Sequence, residues 1–245
     1  MMIQTADLNT LPEGTLLPVL PGEVDGISTH FLALAAGKAY ERTPDKIGGF
    51  VYLFTGGRGR VQQGVSNWEV TEIGLFVPQP GEPFKITAAA ERLEVLELAV
   101  EFTAQDRILY EANKHKIQSF QTYSSCGTYQ ERVKSAKTIS RTLLPEYTFP
   151  RLCIGSVETN GPDQVAAHRH PMLEQLFYGL KDNNCTVRAD QETIAFSENQ
   201  LLHIPLGSSH GVEVREGHKL HYIWIDLFKD EAGMEWITQE HVPDP

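Results

Sequence analysis

The chain has 245 residues, with 21 Lys and Arg against 32 Asp and Glu, a net charge of −11 with neutral histidines, and a hydrophobic content of 41%. That length can bury a core without disulfides, and that composition excludes wholesale disorder. The acidic balance excludes generic nucleic-acid binding, which needs cationic surface to displace phosphate counterions, and no apolar run reaches the ~20 residues that span a bilayer.

The N-terminal stretch MMIQTADLNTLPEGTLLPVL has neither a basic start nor a long apolar run, so no signal peptide is expected. Short apolar runs then follow, separated by Gly and Pro: FVYLFTG from Phe50, IGLFVP from Ile73 and LEVLELAVEF from Leu93. Asp106–Arg141 is polar and carries a net +4 against −15 for the rest of the chain. It reads as a connection between domains with a helical turn around Gln105–Lys114, or alternatively as an anion-contacting lid. The runs resume with RLCIGSVE from Arg151, EQLFYGL from Glu174, QLLHIPLG from Gln200 and KLHYIWIDLF from Lys219. Short strands at this spacing, with turn signals between them, predict an all-β fold. The order of motifs also repeats. FVYLFTGGRG answers to EQLFYGLKDN, LFVPQPGEPF to LLHIPLGSSH, and LEVLELAVEF to KLHYIWIDLF, which predicts a duplicated β-unit of about 100 residues.

Seven of the nine histidines lie at or after residue 168. On one strand, His168 and His170 share a face. Pro171 ends that strand, and Glu174 opens the next. About 40 residues on, the corner Pro205-Leu206-Gly207-Ser208-Ser209 delivers His210. Three imidazoles and a carboxylate suit Fe, Mn, Ni, Zn or Cu. By alternation from Glu174, Leu176 and Tyr178 would face inward and Gln175 and Phe177 outward; the alternative is that Gln175, adjacent to Glu174, substitutes for it or supports the site from behind. Tyr178 is then either a pocket hydroxyl or a plain core residue. Tyr222, Trp224 and Asp226 share one face of the last strand and read as core, or as a pocket wall with one polar tip. His203 and His221 read as satisfied barrel histidines and Arg188 as solvated. Cys153 and Cys185 read as buried packing residues, and Cys126 has no partner that would activate it. With three widely spaced cysteines there is no disulfide framework, so a reducing cytoplasm is expected.

HRHPMLE (168–174) and PLGSSH (205–210) resemble the two motifs of the cupin superfamily, G-x5-H-x-H-x3,4-E-x6-G and G-x5-P-x-G-x2-H-x3-N. Gly161, Gly179, Asn199 and Val214 depart from the pattern. In the first half, Lys38–Pro44 and Phe84 stand where ligands would be. The resemblance implies a bicupin of two tandem cupin barrels: residues 1–105 without metal ligands, a linker 106–145, and a metal-binding barrel 146–245. It implies one divalent metal ion per chain on His168, His170, Glu174 and His210, with Glu174 and Tyr178 as candidate catalytic groups. The expected activity is that of a metal-dependent enzyme of dioxygenase or isomerase/lyase type acting on a small polar metabolite. The alternative is a non-catalytic binder of sugar-like molecules. The apolar last strands and an outward Phe177 predict a homodimer.

Overall fold

The computed structural model describes residues 2–240. It divides into two compact units, residues 10–126 and residues 1–9 with 127–245.

In the unit 10–126, one sheet runs in the order Phe120–Thr122, Gly74–Phe76, Gly49–Gly56, Leu93–Val100, Ile27–Leu34, Leu17–Val19. The other runs Ala39–Arg42, Phe84–Ala88, Gly59–Gln63, Ser66–Val70. The second unit repeats this plan. Its larger sheet runs Gln4–Asp7, Gln200–Ile204, Leu173–Gly179, Lys219–Phe228, Leu152–Asn160, Ile139–Phe149, Thr128–Tyr129. Its smaller sheet runs Asp163–Arg169, Ser209–Val214, Asn184–Ala189, Glu192–Ser197. The duplication read from the sequence is therefore a repeated strand order, and the named strands pair antiparallel.

The sequence pattern explains the two kinds of sheet. Gly49–Gly56 and Lys219–Phe228 are nearly continuous apolar runs and are buried on both faces. Gly59–Gln63 alternates buried and exposed residues, as a strand with one solvated face does. In each unit the two sheets enclose one core. Phe54, Phe76, Phe84 and Ile86 centre the first, and Phe177, Phe196, Val212 and Tyr222 the second.

The stretch 106–145 is not a free linker. Ala104–Asn113 is a helix started by a capping box, in which Asp106 N–H donates to Thr103 Oγ1 and Thr103 N–H donates to Asp106 Oδ2. Phe120–Thr122 extends the larger sheet of the first unit. Residues 127–138 join the two sheets of the second unit. Tyr129 pairs with Ser140 at the edge of the larger sheet, while Ala166 N–H donates to the Val133 carbonyl at 2.7 Å and Lys134 bridges Val165 at the edge of the smaller one. Ser135 and Thr138 hydroxyls both donate to Asp163 Oδ2 and fix the segment. The chain's first strand also departs from the expected boundary, since Gln4–Asp7 pairs with Gln200–His203. Among the described residues no helix is long and apolar enough to cross a membrane.

Candidate metal centre

His168 is the penultimate residue of its strand in the smaller sheet and pairs directly with His210 on the next. His170 follows two residues later, where the strand gives way to a turn at Pro171 and Met172. All three imidazoles are buried, and one ring nitrogen from each lies within 4.8 Å of the others. Backbone carbonyls orient two of the rings. His168 Nδ1 stands 2.7 Å from the Ala166 oxygen and His210 Nδ1 3.3 Å from the Ser208 oxygen. With Nδ1–H as donor, Nε2 keeps the lone pair that a metal uses.

Glu174 does not join them. Its Oε2 lies 3.1 Å from His203 Nε2, on the opposite face of its strand from the imidazoles. Tyr178 shares that opposite face, and its hydroxyl donates to Asn199 Oδ1 at 2.8 Å. The expected alternation is thus inverted: Gln175 and Phe177 point into the barrel. The physical reason is packing. Phe177 seats its ring 4.5 Å from that of Tyr222 in the core, and strand parity then carries Gln175 inward beside the histidines. Phe177 and the last strand are buried, so the exposed apolar surface on which a dimer was expected is absent from those elements.

Gln175, expected from alternation to face outward and only alternatively to replace Glu174, is the residue the barrel turns inward. Its Nε2 donates to Asp226 Oδ1 at 2.7 Å, and the two residues face each other in the strand register. Its Oε1 is buried and has no hydrogen-bond partner among the described residues. An amide oxygen left so beside three imidazoles fits a metal ligand, because burying it unpaired costs about 1–3 kcal/mol. The signal was present in the sequence: the cupin spacing of four residues after the second histidine falls on Gln175, and the spacing of three on Glu174.

These groups line a cavity of about 390 Å³ with Tyr129, Glu131, Lys134, Tyr222, Trp224 and Asp226. Trp224 packs against Gly155, where a Cβ would meet the indole at 2.2 Å, so the glycine makes room for this wall. Burial raises the Asp226 carboxyl to about 8, against the lowering effect of the Gln175 bond. Burial also pulls the Lys134 ammonium below its usual range, against the neighbouring Glu131 carboxylate. His221 Nδ1 donates to the Lys181 carbonyl at 3.2 Å, and Arg188 pairs with Glu213 at the surface. All three cysteines are buried.

The corresponding positions of the first unit hold other chemistry. Arg42 pairs across strands with Phe84 as His168 does with His210, and Tyr52 faces Glu97 as Gln175 faces Asp226. Arg42 forms a salt bridge with the buried Glu97, His30 Nδ1 lies 3.3 Å from the same carboxylate, and the rings of Tyr52 and Phe84 meet at 5.0 Å. A guanidinium–carboxylate pair and two aromatic rings occupy the place of the imidazoles.

Two antiparallel sheets closed around a pocket with converging histidines define an all-β protein of cupin-barrel fold. No protein-family profile matches the chain, and no curated protein does. Solved structures similar to it include an IolB-like protein from Salmonella typhimurium (16% identity, TM-score 0.69, covering 96% of this chain and 99% of that one). A cupin 2 conserved barrel domain protein from Leptotrichia buccalis matches at 15% identity and TM-score 0.63, over 92% and 96%. The oxalate decarboxylase of Lactobacillus farciminis, solved as a formate complex, matches at 13% identity and TM-score 0.67, over 92% and 86%.

Proposed function

We propose that the chain is a bicupin that binds one divalent metal ion in its second barrel, through His168, His170, His210 and the amide oxygen of Gln175, and acts as an enzyme on a small polar metabolite. The observation that carries this reading is the meeting of three buried imidazoles with the unpartnered Gln175 Oε1 in one cavity. The fold shared with an oxalate decarboxylase and an IolB-like protein is in keeping with it.

When bound, the ion would polarise a substrate oxygen and stabilise negative charge that develops there. The chain's own residues do the rest. The Ala166 and Ser208 carbonyls hold two imidazoles in the ligating tautomer. Asp226 accepts from Gln175 Nε2 and so turns Oε1 toward the histidines. Phe177, Tyr222 and Trp224 give the cavity an apolar wall beside the polar groups.

Elemental analysis of the purified chain and of a His168→Ala/His170→Ala variant tests the metal. Near-unit metal in the parent and almost none in the variant is the expected result. Equal metal in both would overturn the ligand assignment. Turnover of a small-metabolite panel by the loaded parent, absent in the double variant, tests catalysis.

A further inference from the structure

The cavity has a second polar group, opposite in character to the imidazoles, and it comes from the segment that joins the two sheets. Lys134 lines the same cavity as His168, His170 and His210. Its side chain is only 6% exposed. Its ammonium donates to Glu131 Oε1 at 2.7 Å and to Ser140 Oγ at 3.2 Å, and it lies 5.7 Å from the centre of the Tyr129 ring. An ammonium has three donors, and these two bonds leave one.

Charge decides what that donor would take. The three imidazoles and the Gln175 amide are neutral, so the ligand set offsets none of a bound dication's charge. Glu131 is paired with Lys134, Asp226 accepts from the Gln175 amide, and Glu146, also in the lining, is exposed to solvent. A dication bound there would keep its full charge against its ligands, and the third Lys134 N–H is the donor left in the cavity for an anionic oxygen.

We propose that Lys134, held in place by Glu131, is a carboxylate-binding subsite of the metal pocket, and that the substrate is a small acid with its carboxylate at Lys134 and a second oxygen donor toward the histidines. This deepens the reading of the preceding section and rests on it for the metal alone.

The test uses the full chain loaded with Mn²⁺, titrated calorimetrically with oxalate, malonate, succinate and glutarate, and with acetate and propionate as single-carboxylate controls. In the parent, at least one dicarboxylate should bind tenfold or more tightly than either control. Lys134→Met should abolish that tenfold preference while the chain keeps its Mn²⁺ content. Removing one charge could unfold the seam by stranding Glu131, so the Lys134→Met/Glu131→Gln variant, which removes both, is measured in parallel and should show the same loss. A preference that survives in the folded variants, or a parent that binds all probes alike, would overturn the proposal. Failure of the metal reading looks different. If the parent takes up no Mn²⁺, Lys134-dependent binding of the carboxylate probes by the metal-free chain still supports the subsite, and binding indifferent to Lys134→Met overturns it.

Discussion

Replacing Gln175 with leucine separates the structural and ligating roles of this side chain. Without metal, the variant loses the 2.7 Å bond to Asp226, the carboxyl of a fully buried residue. With burial holding the Asp226 carboxyl up at about 8, the bond joins two neutral groups at pH 7 and contributes about 0.5–1.5 kcal/mol, and a leucine of similar volume returns part of that through packing. The metal-free melting temperature should therefore fall by a few degrees, at about 2–8 °C per kcal/mol. The metal-dependent increment is the diagnostic quantity. At free metal a hundredfold above Kd the parent gains about 2.7 kcal/mol, and if loss of the amide oxygen weakens binding about a hundredfold, the gain shrinks to about 0.4 kcal/mol. Scanning calorimetry of parent and variant, each with chelator and with fixed excess Mn²⁺, reads both numbers. If the variant melts lower but gains as much from metal as the parent, Gln175 serves the fold and is not a ligand.

Glu174→Gln should leave metal content unchanged, because Glu174 faces His203 and not the imidazoles; elemental analysis decides. In the first unit, Arg42→Met strands the buried Glu97 and should cost about 3 kcal/mol, near the low end for a broken buried pair because His30 remains 3.3 Å away. Adding Glu97→Leu should recover much of that loss in denaturant titration, and no recovery would contradict a charge-burial origin. Burial depresses the pKa of His221, so the unfolded chain takes up its proton first as pH falls through the ordinary histidine range. The parent should thus lose stability between pH 7 and 5 by more than His221→Asn does, and parallel curves would refute this.

Much of this could be read from residue order. The repeated strand plan follows from apolar runs and turn signals that recur in both halves, and His168, His170 and His210 follow from two-residue periodicity and a Pro–Gly corner. The inward turn of Gln175 did not, because Glu174 and Gln175 are adjacent and the turn at Pro171 and Met172 leaves the parity of the following strand open. That parity is set by Phe177 against Tyr222, a contact between residues far apart in the chain. The closing segment 127–138 was equally hidden. It is polar and charged, and its partners, Asp163, Val165 and Ala166, lie about 30 residues downstream, so local composition reads as a solvated linker.

A crystallographic map of the chain as purified, with anomalous scattering collected at the absorption edges of Mn, Fe, Ni, Cu and Zn, tests the central claim most directly. It should show one ion per chain, ligated by His168, His170, His210 and the Gln175 amide oxygen, with Glu174 on the far side of its strand. A site ligated by Glu174, or a second ion near Arg42 and Glu97, would contradict it.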